Sequence, residues 1–257
     1  LTGHNSYKAC RYCDIRGIYF NHIYYPTTLP TSLLNEINKN YNPSNLPQRT
    51  HNDYKTRVEQ IMTIPPSKAR NKMVSELGVT GRSILLDIKT TQFPKCFPVD
   101  IMHLFYENIA PYMLKHWMGS FFNDFTLNNQ PYVLNNNQWE EIGTEMETAR
   151  KFIPTEFGRP PRNIVHHHNG YKAEEWSSWI TLYSLPLLKD RLPAKYLKGW
   201  SLFVRAVQLC QKRTLSLDNL NDIRSLLLQF YEHYEWYVAN LFFYYLKFIQ
   251  FLLTYHF

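Results

Sequence analysis

Two cysteines near the N-terminus, in the sequence Cys10-Arg-Tyr-Cys13, have the spacing that most clearly suggests chemistry. Two thiolates separated by two residues bind one face of a tetrahedral zinc ion, but a structural zinc site needs four ligands. Cys96 and Cys210 lie far along the chain and lack this spacing, so the missing ligands are histidines or lie outside this sequence. A zinc half-site and a pair of unliganded thiols both stay open. A thioredoxin-like redox pair is disfavoured because no βαβ pattern surrounds the motif.

Acidic residues at the starts of two predicted helices form the second group of candidates. Asp100 precedes an amphipathic helix predicted from Ile101 to about Trp117, and His103 follows it by one turn. The pattern favours a helix cap with an Asp–His hydrogen bond, with catalysis as the alternative. Glu175 begins a later helix, where the helix dipole favours an acid. We interpret Asp100, His103 and Glu175 as structural support, and a metal-binding role for Glu175 as the alternative.

Basic residues are concentrated in the first half of the chain. Residues 1–120 hold 14 Lys and Arg against 8 Asp and Glu, while the rest of the chain is nearly balanced. Lys68, Arg70 and Lys72 follow one another on a short predicted helix, where they form either a solvated face or a surface that contacts phosphates. The charge therefore permits a nucleic-acid partner and makes these three residues the candidate DNA contacts.

The elements that must position these residues are predicted to be mainly α-helices, with few short strands. Tyr-rich runs after Cys13 have β-type composition. Asn52 is the predicted cap of a first helix, and Ser67 and Gly78 are the predicted ends of a second. Pro111 predicts a kink or break in the helix after Asp100. Further helices are predicted at about 138–151, 172–190, 194–212 and, capped by Asp218, from 218 to the C-terminus.

Composition shifts divide the sequence into four segments. These are a Cys-x-x-Cys segment (1–25), a Pro- and Asn-rich linker (26–50), a helical segment that includes Asp100 and His103 (51–122), and a helical region (123–257). The apolar run from Leu241 to Phe257 is shorter than the roughly 20 residues that a membrane span needs, so we expect a buried helix and no membrane. Four cysteines are too few for a disulfide scaffold, which favours a reducing compartment.

Several short blocks, taken in order, resemble one family. They are Gly3-His4 before Cys10-Arg-Tyr-Cys13, Phe97-Pro-Val-Asp100-Ile-Met-His103 with Glu107-Asn108, Lys172-Ala-Glu-Glu-Trp176, and Tyr183-Ser-Leu-Pro. Their combination resembles the transposase of CACTA-type (En/Spm-like) DNA transposons, a group distantly similar to the V(D)J recombinase.

The resemblance implies part of a DDE-type transposase with an RNase-H-like core and a large α-helical insertion. In that family two Asp and one Glu hold two magnesium or manganese ions for attack on DNA phosphodiesters. Carried over residue by residue, Cys10 and Cys13 match zinc ligands, Asp100 and His103 match a motif that we interpret as core support, and Glu175 matches a recurrent acid. The catalytic acids are expected before Leu1 and past Phe257, the latter with a His pair that completes the zinc site.

On this interpretation the chain is inactive alone and belongs to a nuclear protein that binds transposon-end DNA and forms a possible homo-oligomer. The alternative is a domesticated, zinc-dependent α-helical module that binds DNA or protein without catalysis.

Overall fold

The computed structural model describes residues 2–3, 6–20, 22–29, 31–36, 38–121, 129–154, 156 and 159–239. This described chain is mainly helical, as the sequence predicts, and its strands form a two-stranded antiparallel ribbon. It divides into two units, one through Val99 and one from Asp100. The division falls inside the predicted segment 51–122, because the helix that follows Asp100 packs against later helices.

In the first unit, a short ribbon is followed by a loop region and two helices. Strands β1 and β2 pair with Ile18 opposite Tyr24, which agrees with the β-type composition of this segment. The elements are β1 (Ile18–Phe20), β2 (His22–Tyr24), a 3₁₀ turn (Thr31–Leu33), α1 (His51–Met62), α2 (Lys68–Leu77) and a 3₁₀ turn (Ile84–Asp87).

The ends of α1 and α2 follow from local side-chain hydrogen bonds. Ser67 Oγ accepts from the Arg70 N–H at 3.2 Å and Gly78 ends α2 at φ 72°, so both predicted ends of this helix are confirmed. The predicted cap of α1, Asn52, is wrong by two residues. Thr50 is the cap, because its hydroxyl accepts from the Asp53 N–H at 3.1 Å and the Asp53 carboxylate accepts from the Thr50 N–H at 2.7 Å.

A small apolar core joins α1 to the loop that follows α2. One face of α1 contributes three side chains at helical spacing, and Val79 and Phe93 pack against them. Phe93 lies 5.1 Å from the ring of Tyr54 and at a nearly perpendicular angle to Phe97, the arrangement that aromatic quadrupoles favour. The core residues are Tyr54, Val58, Ile61, Val79 and Phe93.

A buried guanidinium ties three separate segments of the first unit together. Arg49 is 3% exposed, and it donates to the carbonyl oxygens of Cys13 at 3.2 Å, Lys8 at 2.8 Å and Leu77 at 3.4 Å. A buried Arg needs such partners, because an unpaired cation in the interior is costly. The Cys-x-x-Cys segment is therefore fastened to the end of α2 by one side chain.

The described part of the second unit consists of helices, with the longest connections before and after α4. Its elements are a π-helical segment (Met102–Ile109), α3 (Ala110–Trp117), α4 (Asn136–Ala149), α5 (Ile164–His167), a 3₁₀ turn (His168–Gly170), α6 (Ala173–Ser178), a π-helical segment (Trp179–Tyr183), α7 (Ser184–Leu188), α8 (Ala194–Cys210), α9 (Leu217–Tyr234) and a π-helical segment (Glu235–Ala239).

Pro111 changes the type of the helix that follows Asp100 without breaking it. The chain is π-helical over Met102–Ile109 and becomes α-helical at Ala110, whose N–H bonds to the carbonyl oxygen of Phe105. Proline removes a donor and crowds the preceding turn of an α-helix, and a π-turn is a usual way to accommodate such a disturbance. Of the predicted apolar stripe, Phe105, Ile109, Met113 and Trp117 are buried, while Met102 is 37% exposed.

Helices α8 and α9 are antiparallel and approach closely at Gly199. A Cβ placed there overlaps the imidazole of His233, whose Nε2 lies 2.8 Å from the carbonyl oxygen of Lys195. The glycine therefore admits a ring from α9 onto the backbone of α8. The cap of α9 is Ser216 and not the predicted Asp218, because the Ser216 hydroxyl accepts from the Asn219 N–H at 3.1 Å.

Large aromatic side chains fill the core of the second unit, as the composition suggests. Trp117 and Trp200 meet edge to face at 5.0 Å. His116 is 2% exposed, stacks on Phe121 at 3.8 Å and has its Nε2 2.8 Å from the Tyr234 hydroxyl. Burial lowers the pKa of His116 to about 3, so this side chain is a neutral part of the core.

Within the described ranges, no helix combines the length and the apolar character that crossing a membrane requires. The run from Leu241 to Phe257, for which the sequence predicts a buried helix, lies outside the described residues.

Replacing Gly78 tests the close approach at the end of α2. A Cβ at this position overlaps the carbonyl oxygen of Lys8 and the guanidinium of Arg49, and the backbone has a left-handed φ of 72°. We expect Gly78→Ala to lower the free energy of unfolding by more than the about 1–2 kcal/mol that a left-handed conformation costs a non-glycine residue. Urea denaturation measures this change.

Gly81→Ala is the matched control, because a Cβ at Gly81 meets nothing within 4 Å and the backbone there is not left-handed. We expect this variant to be close to the unchanged protein in stability. Equal stability of the two alanine variants would contradict the packing described for Gly78.

Candidate functional site

The Cys-x-x-Cys motif forms a buried turn in which backbone N–H groups point at a sulfur. Cys10 and Cys13 are 1% and 0% exposed. The Cys10 Sγ accepts from the N–H of Tyr12 at 3.3 Å and from the N–H of Cys13 at 3.0 Å. Hydrogen bonds of this kind favour a thiolate at Cys10. The turn therefore has local geometry suited to holding a metal ion or a reactive sulfur.

Contacts from several elements fix this turn. The Tyr25 hydroxyl accepts from the Ala9 N–H at 2.8 Å, and the Tyr54 hydroxyl on α1 donates to the carbonyl oxygen of Arg11 at 3.1 Å. Cys13 forms an antiparallel bridge with Gln48, next to the buried Arg49. The backbone around both thiols is thus also held by hydrogen bonds that involve neither sulfur.

The two thiols differ in their readiness to ionise. Burial raises the pKa of the Cys10 thiol, but hydrogen bonds from Cys13 and Tyr12 and the charge of Arg49 outweigh burial, so this pKa is lower than usual. The hydrogen bond to Cys10 and burial raise the pKa of Cys13. Of the two thiols, Cys13 therefore holds its proton more tightly, and a metal ion that binds both sulfurs must displace that proton.

A carboxylate with three cationic neighbours lies directly after the motif. Asp14 accepts from both Nη atoms of Arg57 at 2.8 Å, its Oδ1 is 3.1 Å from Lys8 Nζ, and it lies 3.8 Å from Arg49. Burial raises the pKa of Asp14, but the hydrogen bonds and charges of Arg57 and Lys8 outweigh it and hold this pKa at about 2. This cluster is not predicted from the sequence, because Asp14 and Arg57 are 43 positions apart.

Asp100 and His103 lie together at the exposed start of the π-helical segment. The Asp100 Oδ1 accepts from the N–H groups of Met102 at 2.9 Å and His103 at 3.3 Å, and its Oδ2 is 2.7 Å from His103 Nδ1. Glu107 is 3.6 Å from the other ring nitrogen. The hydrogen bond and charge of Asp100, with a smaller effect of Glu107, raise the pKa of His103. The predicted cap and Asp–His hydrogen bond are both present.

Glu175 is fully occupied by structural hydrogen bonds. Its Oε1 and Oε2 accept from Nε and Nη2 of Arg162, each at 2.7 Å, and from the N–H groups of Arg162 at 3.2 Å and Lys172 at 3.0 Å. The Arg162 hydrogen bond is the main reason that the pKa of Glu175 is lowered to about 2. Glu175 thus joins the segment before α5 to the start of α6, and its partner Arg162 was not identified from the sequence.

The three predicted DNA contacts do not share one face of α2. Lys68 and Lys72 are four residues apart and lie on the same side, whereas Arg70 is turned by about 200° from each. Arg70 lies over the preceding loop, with Nη1 3.4 Å from the carbonyl oxygen of Ile64. Lys72 Nζ is 4.0 Å from Glu76, a distance that leaves its charge largely available.

In the part of the chain that the structure describes, no three His, Cys, Asp or Glu side chains are grouped closely enough to hold a metal ion. Comparisons of the chain with models of protein families, with curated protein sequences and with solved structures found no match. The arguments for a function therefore rest on the residues themselves.

Substitution of Asp100 separates its two contacts. Asparagine caps helices nearly as well as aspartate but carries no charge. We expect Asp100→Asn to leave the melting temperature close to that of the unchanged protein and to lower the pKa of His103 towards its ordinary value. Asp100→Ala should lower both the melting temperature and the pKa of His103. Thermal melting and an NMR titration of His103 measure the two effects.

Glu107→Gln is the control for this experiment, because Glu107 is further from the ring and contributes less to the raised pKa of His103. A pKa of His103 that is unchanged in Asp100→Asn would contradict the hydrogen bond described here.

Proposed function

We propose that this chain is part of a DDE-type transposase of the CACTA kind, and that its Cys-x-x-Cys turn supplies half of a structural zinc site. The observation that carries the proposal is the buried turn at Cys10 and Cys13, in which two backbone N–H groups point at one sulfur. The transposase part of the proposal is supported by the order of the sequence blocks described above, which resembles that of the CACTA family. On this proposal the chain runs from the edge of an RNase-H-like core into a helical insertion, in a nuclear protein that acts on transposon ends and can form homo-oligomers.

The zinc part of the proposal fits the donors that the chain offers. Cys10 and Cys13 would bind two of the four tetrahedral positions; both residues are buried, and two backbone N–H groups that suit a thiolate point at the sulfur of Cys10. The other two ligands are proposed to be the His pair that the resemblance implies beyond Phe257. Zinc bound there would tie the N-terminal turn to that later part of the protein.

The carboxylates of the described residues do not fit the magnesium or manganese site of the family. Asp100 is engaged by a helix start and by His103, and Glu175 is engaged by Arg162. We therefore derive no catalytic step within this chain. We propose that strand cleavage and transfer depend on carboxylates elsewhere in a longer protein and that the chain alone is inactive.

A second candidate function is a domesticated α-helical module that binds DNA or protein with zinc but without catalysis. The exposed Lys68 and Lys72 on one side of α2 favour phosphate contacts in either case. The two candidate functions predict different sequences in the reading frame that flanks this chain. An upstream Asp before Cys10 and a downstream His pair followed by Glu favour the transposase, while stop codons in their place favour the module.

Cysteine substitution tests the zinc proposal in the longer protein expressed from the complete gene. We expect elemental analysis to find one zinc per chain and Cys10→Ser combined with Cys13→Ser to remove it, because serine is a poor zinc ligand. The isolated 257-residue chain should bind zinc weakly, since two thiolates are half of a site.

The control for this test is Cys96→Ser combined with Cys210→Ser, which removes two thiols outside the turn and should leave zinc bound. Circular dichroism verifies that both double variants are folded. Full zinc occupancy in the Cys10 and Cys13 variant would exclude these residues as ligands.

Charge reversal on α2 tests the proposed DNA contact. We expect the chain to bind duplex DNA with a log–log salt slope of roughly −0.9 per phosphate contacted. Lys68→Glu combined with Lys72→Glu should weaken binding and make this slope shallower by about 1–2, with no change in sequence preference. Fluorescence anisotropy over a range of salt concentrations measures both quantities.

Lys151→Glu combined with Lys189→Glu is the matched control. It changes the net charge by the same amount at exposed positions of the second unit. Equal weakening by the two double variants would show that total charge, and not α2, determines the affinity.

A further inference from the structure

An open groove lies between α8 and α9, with a volume of about 530 Å³. Leu226 of α9 is buried at its base, and Leu202 and Leu209 of α8 are half-buried beside it. Arg205 of α8 and Lys212, two residues past the end of that helix, also line the groove. Its lining therefore combines three leucines with two cations, one carboxylate and three neutral polar side chains.

The positive charge of this groove is not neutralised by the described residues. Arg205 and Lys212 are exposed and form no ion pair within the described part of the chain; Lys212 Nζ lies 3.4 Å from an amide oxygen of Asn219. Asp222 is the one carboxylate among the residues that line the groove. Two cations against one anion favour an acidic occupant.

The spacing along α8 indicates what shape of occupant fits. Leu202, Arg205 and Leu209 follow one another on α8 at spacings of three and four residues, and Lys212 lies three residues further along, just past the end of the helix. This is the pattern by which one helix receives another, and seven residues of α-helix extend about 10.5 Å.

We propose that the groove between α8 and α9 binds an acidic amphipathic helix of a partner protein, with its apolar side chains on Leu202, Leu209 and Leu226 and its carboxylates beside Arg205 and Lys212. The site is separate from the Cys-x-x-Cys turn and from α2. The inference therefore does not depend on the proposed transposase function.

Two other occupants fit the groove less well. A nucleic-acid backbone gains nothing from a stripe of leucines, since its affinity comes mainly from phosphate contacts. A second copy of the chain offers α4, which carries four glutamates, more than any other described helix. The apolar side of α4 is already buried within its own unit through Trp139, Ile142 and Met146. That helix therefore has no free apolar face to place in the groove.

A peptide selection tests this proposal on the intact chain. The probe is a displayed library of peptides of about 16 residues, long enough for a helix of about 24 Å. We expect selection to enrich acidic peptides with leucine or another large apolar residue at helical spacing. Enrichment of basic or neutral peptides, or of none, would overturn the proposal.

An enriched peptide is then measured by fluorescence anisotropy against charge variants of the groove. We expect Arg205→Glu and Lys212→Glu each to raise the Kd at least about tenfold, because a like charge then faces the peptide carboxylates. Lys151→Glu, which makes the same charge change outside the groove, should leave the Kd within about twofold. Both groove positions are exposed, and circular dichroism verifies that the variants are folded.

Competition distinguishes the other occupants. Excess duplex or single-stranded DNA should not displace the peptide, and displacement that Arg205→Glu abolishes would assign the groove to nucleic acid and overturn the proposal. Sedimentation of the chain alone should give the same oligomeric state for the unchanged protein and Arg205→Glu. A dimer that the substitution dissociates would instead assign the groove to a second copy.

Discussion

The first unit depends on the placement of one buried cation beside one carboxylate. Arg49 donates hydrogen bonds to three carbonyl oxygens, and the neighbouring Asp14 forms ion pairs with Arg57 and Lys8. Loss of the Arg49 side chain would leave three carbonyl oxygens without their donor, and loss of the partly exposed Asp14 would leave Arg57 and Lys8 without their carboxylate. The Cys-x-x-Cys turn, the start of α1 and the end of α2 are all fastened here, so the geometry of the thiols depends on charges that never contact them.

The second unit is held together by shape more than by charge. Its core consists of large rings that meet edge to face, such as Trp117 with Trp200, and its closest helix approach requires a glycine opposite His233. Close packing of this kind specifies one arrangement, because a change of even one methylene is felt by the neighbours. The inward faces of α8 and α9 are buried by this packing. Their outward faces, which include Leu202 and Arg205, line the open groove.

Sequence reasoning succeeded where the cause of a structure is local and failed where it is distant. Ser67 and Gly78 were identified as helix ends because a cap acts within three residues. The same reasoning placed two other caps wrongly, since Thr50 and Ser216 compete with Asn52 and Asp218 two residues away and a sequence pattern cannot rank such neighbours. The partner of Glu175 and the surroundings of Asp14 were missed because a pairing 13 or 43 residues apart has no period to detect. The RNase-H-like core stays a prediction. Such a core depends on pairing between distant strands, which has no local sequence signal.

The way in which the Cys turn is held bears on what a bound metal contributes. In a zinc finger, metal binding supplies most of the folding free energy, because the ligands have no fixed arrangement without it. Here the hydroxyl groups of Tyr25 and Tyr54 and the guanidinium of Arg49 fix the backbone around Cys10 and Cys13 through contacts that involve no sulfur. Less chain entropy is then lost when a metal binds, so affinity depends mainly on ligand number and on displacing the proton of Cys13. On the zinc proposal, folding of the first unit and occupancy of the proposed site are then separable properties, and serine at either cysteine changes the occupancy without preventing folding.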